Sequence, residues 1–310
     1  GHHGGGHHGG GHHGQLGNIE ARAAFSCDFE LDPSFPMELV GPAIARDRMY
    51  MAGMPGLVHG KHLPLSIDFQ TGQFFSGGRY LFDTKSNATH YREFVTEDYV
   101  LDGFQFLERP GVLDPSCFQW KNIAAYEFGD IGTDHVVMRT ERWSIPGHGN
   151  KTHFLRSLAE DLSEDAEGRG LTGVWLLYNR QERFVEIVHV GGRVGPIEPG
   201  ELDVASVGAL ATAPTLGEEF DERGWDKVLD RTHFVLSIWF PFELGDQGEP
   251  AVWPNSPPLP EPYCGDALCV PSRGEDAVTC PQDCTINCGD AVCQPGEGED
   301  TANCPGDCRL

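Results

Sequence analysis

Positive charge is scarce in this sequence. Its 310 residues include 22 Lys and Arg against 47 Asp and Glu, which gives a formal net charge of −25. Binding to nucleic acid or to an anionic membrane surface depends on clustered cations, so this balance argues against both partners. The excess of carboxylates predicts a well-hydrated acidic surface with oxygen ligands that are free to meet cations.

Long apolar runs are also missing. No stretch approaches the roughly 20 apolar residues that span a bilayer, so we expect no transmembrane segment. The longest apolar run, residues 234–242, is typical of a buried strand. Because Gly and Pro crowd the two ends, hydrophobic residues make up only 39% of the chain. The middle, residues 19–244, still has enough Phe, Val, Leu and Trp to bury a core.

Several catalytic signatures are absent as well. The sequence contains no HExxH metalloprotease motif, no GxSxG nucleophile elbow and, outside the His/Gly-rich arm, no GxGxxG dinucleotide loop. These absences argue against the reactions that depend on those motifs. They do not decide whether the protein is an enzyme at all.

The N-terminal arm, residues 1–18, is built on a five-residue Gly-His-His-Gly-Gly repeat. Nothing in it can be buried and Gly carries a large backbone entropy, so we expect it to be disordered. Several imidazoles on one flexible segment suit Zn²⁺, Ni²⁺ or Cu²⁺. A purification tag or a neutral linker is the alternative interpretation. The candidate metal ligands are His2, His3, His7, His8, His12 and His13.

The C-terminal end consists of two repeats offset by 24 residues, at 264–287 and 288–310, behind a Pro-rich linker at 245–263. Their Cys residues show the same spacing in both copies and lack the CxxC knuckles of zinc sites, which favours disulfides over zinc. Disulfides require an oxidising compartment, and the pairing within each repeat stays open. The eight residues are Cys264, Cys269, Cys280, Cys284, Cys288, Cys293, Cys304 and Cys308. Cys27 and Cys117 either pair with each other or remain buried thiols.

Acidic residues recur in the two repeats as regularly as the Cys. Carboxylates suit a hard cation such as Ca²⁺, although Asp beside Gly or Pro is also ordinary turn chemistry. The pattern resembles short Cys-Gly-Asp repeats near the C-termini of secreted multi-domain bacterial proteins. That resemblance implies a surface or spacer module and a secreted or cell-surface location. The candidate calcium ligands are Asp266, Glu275, Asp276, Asp283, Asp290, Glu299, Asp300 and Asp307.

The second half of the core, residues 131–244, predicts a strand, a helix, two strands, further helix and a closing strand. The predicted strands are 135–145, 172–179, 182–190 and 232–242, and the predicted helices are 152–167, 204–213 and 218–229. This order is ferredoxin-like.

The first half, residues 19–130, predicts a shortened copy whose first helix is missing or reduced. A strand at 46–52, a hairpin of 65–69 with 73–82, a helix at 87–101 and a strand at 118–128 remain. The predicted fold class is therefore α+β, a tandem ferredoxin-like core with an N-terminal arm and two disulfide-rich repeats. The core resembles the dimeric α/β-barrel group, which implies monooxygenases, haem-degrading enzymes, small lyases or proteins without known activity.

Candidate catalytic residues are few. His135, His189 and His233 fall on predicted strands, where they could act as acid–base groups or bind haem or a metal if they point into a barrel. His153 on a helix and Tyr178 on a strand are weaker candidates. A lone strand His is more often a packed residue, so the ordinary interpretation of all five is structural.

Two functional hypotheses follow. The first is an extracellular binding or structural protein with a metal-chelating arm. The alternative is a secreted barrel enzyme of the monooxygenase or lyase type that acts on a small apolar molecule, or a haem-binding barrel. A filled core would favour the first hypothesis, and a closed pocket with convergent polar groups would favour the second.

Overall fold

Strands form most of the ordered core. The computed structural model describes residues 16–36, 39–51, 54–68, 70–101, 103–129, 136–196 and 202–239. The six His of the arm, His135, the linker and both Cys repeats lie outside these residues. The metal, calcium and disulfide assignments made for those segments therefore stay predictions.

The first unit has a complete set of elements. They are β1 (Ala23–Leu31), α1 (Val40–Met51), β2 (Leu57–Ile67), β3 (Phe74–Phe82), α2 (Lys85–Glu93), a π-helical turn (Phe94–Asp98), the short strands β4 (Val100–Leu101) and β5 (Phe104–Gln105), a 3₁₀ turn (Phe106–Glu108) and β6 (Val112–Glu127). Without the short β4–β5 hairpin, the order is strand, helix, strand, strand, helix, strand. This is the ferredoxin-like order.

The second unit repeats that order. It consists of β7 (Val137–Ser144), α3 (Thr152–Gly168), β8 (Leu171–Asn179), β9 (Phe184–Gly191), α4 (Val204–Thr212), α5 (Glu218–Glu222) and β10 (Asp226–Trp239). The buried residues of α3, namely Leu155, Ala159, Leu162 and Ala166, recur every three or four positions. They form one apolar stripe that packs on the sheet.

Eight strands close into an antiparallel barrel in the order β1-β3-β2-β10-β7-β9-β8-β6. The first unit contributes neighbouring strands in the order β6-β1-β3-β2, and the second unit contributes them in the equivalent order β10-β7-β9-β8. The units are joined where β2 pairs with β10 and where β6 pairs with β8. The helices lie on the outside. An eight-stranded barrel has an interior just wide enough for its own side chains. Within the described part of the chain, no helix has the length and apolarity needed to cross a membrane.

The structure corrects the prediction for the first unit. The described residues of the predicted strand at 46–52 belong to helix α1, so the first helix is present rather than missing or reduced. Val40, Ile44, Asp47 and Met51 are spaced by four, three and four residues and pack inward, which is a helical rather than an alternating pattern. Strand β1 was not predicted.

Five predicted boundaries were also wrong. The strands expected at 65–69 and 118–128 begin earlier, at Leu57 and Val112. The helix expected at 218–229 ends at Glu222, because Gly224 adopts a φ of +70° and the chain then pairs with β7 from Asp226 onward. The strand expected at 232–242 begins six residues earlier, at Asp226. The helix expected at 87–101 ends in the π-helical turn and β4.

The barrel interior contains a closed ring of four charged side chains. Arg79 donates to both carboxylate oxygens of Asp28 at 2.8 and 3.0 Å, and its Nε lies 3.1 Å from Glu186. Arg142 bonds Glu186 at 2.6 Å and Asp28 at 3.3 Å. Asp28 and Arg79 come from the first unit, whereas Arg142 and Glu186 come from the second. The ring therefore joins the two units across the barrel.

Candidate functional site

A cavity of about 290 Å³ lies on the outer face of the first unit's sheet. Strands β1, β2 and β3 form its floor, α1 forms one wall, and the segment from β5 to the start of β6 forms the other. Throughout the article we call this space the α1 cavity. Its position depends on α1, which the sequence patterns did not predict.

Apolar and aromatic side chains make up most of the lining of the α1 cavity. Tyr80 lies across the floor next to Gly78, where a Cβ atom would collide with the Tyr80 hydroxyl. Gly78 therefore leaves the room that the tyrosine ring occupies. The main apolar lining residues are Phe29, Leu31, Phe35, Val40, Ile44, Met51, Leu63, Phe104, Phe106 and Trp239.

One ion pair, together with Arg46 and Ser76, forms the polar part of the lining. Arg109 binds Asp47 through two hydrogen bonds of 2.8 and 2.9 Å, and the Tyr99 hydroxyl donates to the same carboxylate at 2.9 Å. The Arg109 guanidinium also lies 4.2 Å from the centre of the Phe106 ring. Because its oxygens already accept these bonds, Asp47 orients Arg109 rather than acting as a free base.

Two buried phenols line or support the floor. Tyr80 and Tyr91 are hydrogen-bonded to each other, and their ring centres are 5.0 Å apart. Burial raises the pKa of both hydroxyl groups. Both phenols therefore stay protonated near neutral pH, where they are hydrogen-bonding groups rather than nucleophiles.

A disulfide closes the floor at one side. Cys27 on β1 and Cys117 on β6 are directly opposite in the antiparallel register, and their sulfur atoms are bonded. Cys27 contributes to the lining of the α1 cavity. A disulfide at this position is compatible with an oxidising compartment.

In the second unit, aromatic side chains pack against one another, and the cavity of about 320 Å³ beside them is bordered by Asp161, Asp165, Glu218, Glu219 and Glu222. Phe220 stacks on Trp225 with ring centres 4.7 Å apart, and Trp143 and Phe154 meet Phe220 edge-on at 5.8 and 6.5 Å. Even a Cβ atom at Gly217 would come within 2.7 Å of the Trp143 ring. The aromatic residues of this unit are thus used in packing, while those of the first unit border a cavity.

None of the described candidates from the sequence lines the α1 cavity. His233 lies in the barrel interior, as the barrel hypothesis required, but His189 lies on the outer face with its Nε2 3.6 Å from Glu141. His153 is exposed. The Tyr178 hydroxyl donates to the carbonyl oxygen of Gly149 at 3.2 Å and so holds the loop before α3.

The two buried candidate histidines, His189 and His233, are neutral near pH 7. Burial is the largest cause of the low pKa of both, which falls to about 3 for each. Arg139 lowers the pKa of His189 further, and Arg79 does the same for His233. Neither imidazole can act as an acid–base group near pH 7.

Sequence patterns missed the polar group of the α1 cavity. Asp47 and Arg109 are 62 residues apart, and neither belongs to a recognisable motif. Their pairing depends on α1 packing against the segment before β6. Charge alone could not single them out in a chain with so many acidic residues.

The lining of the α1 cavity does not fit a haem group. Axial haem ligands are His, Met, Cys thiolate or Tyr. The lining contains no His, Cys27 is in a disulfide, and the Tyr80 hydroxyl is protonated and bonded to Tyr91. Met51 is the remaining ligand type. We therefore assign no haem to this cavity. Among the described residues, no group of three or more His, Cys, Asp or Glu is arranged to hold a metal ion.

Comparison with known proteins reveals likeness at the level of three-dimensional structure. No protein-family model and no curated protein sequence matches the chain. A protein proposed to be a monooxygenase from Fusobacterium nucleatum has 10% identity and a TM-score of 0.48 over 71% of this chain and 94% of its own. A second proposed monooxygenase, from Lactobacillus acidophilus, has 9% identity and a TM-score of 0.42 over 71% and 97%.

A third similar structure is a ferredoxin-fold protein from Listeria monocytogenes related to antibiotic biosynthesis monooxygenases. It has 9% identity and a TM-score of 0.34 over 70% of this chain and 96% of its own. Folds of this kind carry many chemistries, so a reaction has to be argued from the residues of the site itself.

Proposed function

We propose that the first unit binds a small, largely aromatic molecule in the α1 cavity, and that the protein is an enzyme of the monooxygenase or lyase type acting on it. The observation that carries this proposal is the contrast between the two units. In the second unit, Trp143, Phe220 and Trp225 pack against one another, and carboxylates make up half of the residues that line the neighbouring cavity. The first unit instead keeps an apolar cavity bordered by one ion pair.

The size of the α1 cavity limits the ligand. An apolar cavity of about 150 Å³ holds benzene, and drug-sized sites start at about 300 Å³. A volume of about 290 Å³ therefore suits a molecule of about two fused rings. The aromatic lining, including Phe29, Phe106 and Trp239, favours a planar ligand through offset or edge-on ring contacts.

The polar residues of the lining limit the chemistry. Its one carboxylate, Asp47, is held by Arg109 and Tyr99, and no His is present. This set does not supply a nucleophile–base pair for hydrolysis. It favours a reaction that uses the reactivity of the bound molecule, with Arg109 positioned to attract an electron-rich oxygen at one end of it.

Export of the protein is part of the same proposal. The Cys27–Cys117 disulfide and the eight Cys of the C-terminal repeats both suit an oxidising compartment. The repeats would then act as spacer or surface modules, and the His-rich arm as a metal-chelating segment. Free thiols at these Cys residues in protein isolated from its own host, measured by thiol titration, would count against export.

Filling the α1 cavity tests the binding proposal. Ala43 lies on α1 and lines the cavity, so Ala43→Trp should place an indole where the ligand binds. We expect the full-length variant to bind the fluorescent probe 8-anilinonaphthalene-1-sulfonate at least about tenfold more weakly than the wild type, a difference of about 1.4 kcal/mol. In the wild type, 1-naphthol should displace the probe.

Ala209→Trp is the matched control, because Ala209 is exposed on α4. It should bind the probe like the wild type. Circular dichroism checks that both variants are folded, and Ala43→Phe provides a smaller change at the same place. Equal probe binding by all four proteins would mean that the ligand lies elsewhere. Oxygen uptake with 1-naphthol, present in the wild type and lost in Ala43→Trp, would support the monooxygenase form.

A further inference from the structure

Arg231 is a half-buried cation at one end of the barrel interior, and no described carboxylate forms an ion pair with it. Arg79 and Arg142 are both bonded to Asp28 and Glu186 in the four-residue ring, whereas Arg231 forms no ion pair or hydrogen bond among the described residues. Its guanidinium rests on the Phe75 ring, 3.8 Å from the ring centre.

The electrostatic surroundings leave the charge of Arg231 poorly compensated. Burial is the main cause of its lowered pKa, and repulsion by Arg79 and Arg142 adds to it. Asp28 attracts Arg231 but is already bonded to both other arginines, and Glu30 and Asp68 attract it more weakly. An additional negative charge near Arg231 would therefore be favourable.

Three buried polar side chains near Arg231 also have no hydrogen-bond partner among the described residues. They are the Oγ of Ser66, the Oγ1 of Thr140 and both ring nitrogens of His233. All three residues are at most 2% exposed. A buried polar atom without a partner costs about 1–3 kcal/mol, so four such atoms in one region need an explanation.

The strand register brings these groups together. Thr140 is the cross-strand partner of Arg231, and His233 lies two residues further along the same inner face. Ser66 is the cross-strand partner of Phe75, the ring on which the Arg231 guanidinium rests. The pairing of Phe234 with Leu65 places His233 next to Ser66 on the seam where β10 meets β2.

We propose that Arg231, His233, Thr140 and Ser66 form a binding site for a small monovalent anion inside the barrel. The guanidinium, the two hydroxyl groups and one imidazole N–H all donate hydrogen bonds, which is the arrangement that an anion needs. A water molecule would satisfy some of these donors but would leave the charge of Arg231 uncompensated. Because Ser66 belongs to the first unit and the other three to the second, a bound anion stabilises the closure of the barrel. This site is separate from the α1 cavity.

Bromide is the probe for this proposal. The melting temperature of the full chain is measured in sodium bromide and in sodium gluconate at equal ionic strength. Binding to the folded state alone should raise it by about 5 °C at a bromide concentration a hundredfold above the Kd. Arg231→Met should lose this rise, and Thr140→Val should weaken bromide binding by about tenfold.

Arg223→Met is the matched control, because Arg223 is half-exposed and paired with Glu219. It should respond to bromide like the wild type. Anomalous diffraction from crystals grown in bromide provides a second measurement that does not depend on any variant. A peak within hydrogen-bonding distance of Arg231 and Thr140 supports the site. Density for water alone at this position, or the same bromide response in Arg231→Met as in the wild type, overturns it.

Discussion

Replacing Arg79 by Met should lower the free energy of unfolding by about 3–5 kcal/mol at pH 7. Arg79 is fully buried and binds two carboxylates, Asp28 and Glu186. Without it, two buried negative charges would share the single cation Arg142, which already contacts both. The expected loss is the cost of an uncompensated buried charge rather than the value of one salt bridge. Urea denaturation, followed by tryptophan fluorescence, measures it.

Arg92→Met is the control for this prediction, because Arg92 and Glu93 form an exposed pair whose side chains are 42% and 46% accessible. Removing this ion pair should lower the free energy of unfolding by less than about 1 kcal/mol. Adding Glu186→Gln to Arg79→Met removes one of the two unpaired charges, so the double variant should regain part of the lost stability. If Arg79→Met were as stable as Arg92→Met, the ring would not hold the two units together.

The same ring explains why strand alternation was misleading in this protein. In an antiparallel sheet, the polar face is normally expected to meet solvent. Here the inner face of β1 carries Ser26 and Asp28, while the outer face carries Phe25 and Cys27 under the helices. Both faces of each strand are covered, so polarity does not identify the inside of the barrel.

The second unit could be predicted further than the first because its signals are local. The stripe on α3 and the two short strands after it follow from spacing alone. In the first unit, the apolar spacing of α1 is interrupted by Asp47. This carboxylate can be buried because it forms an ion pair with Arg109. The α1 cavity depends on that long-range pairing, so no local pattern could have indicated it.

Mild acid should destabilise the fold before its carboxylates are protonated. Burial keeps the pKa of His189 and His233 at about 3 in the folded protein, whereas an unfolded His titrates near 6.5. Between these two values the unfolded chain binds more protons than the folded chain, so stability is full above pH 6.5 and falls as the pH is lowered towards 3. At pH 4.5 the two residues together should lower the free energy of unfolding by on the order of 5 kcal/mol relative to neutral pH.

The charges around the two imidazoles support this direction. His189 is repelled by Arg139, Arg169 and Lys227, and it is attracted by Asp230 and by Glu141 at 3.6 Å. His233 is repelled by Arg79 and Arg231 and attracted by Asp28. The pKa of Asp28 and of Asp230 is lowered, so these carboxylates lose stability only as the pH falls below about 4. The window from pH 6.5 to 4.5 therefore isolates the histidines.

Urea denaturation at several pH values within that window, in a gluconate buffer, measures the effect. The double variant His189→Gln/His233→Gln should show a much flatter dependence of stability on pH than the wild type, whatever its stability at pH 7. His153→Gln is the control, because His153 is exposed on the first turn of α3 and its loss should leave the slope unchanged. Equal slopes of stability against pH in the wild type and the double variant would contradict the prediction. They would show that the buried imidazoles take up protons in the folded protein, which would require water or a counter-ion beside them.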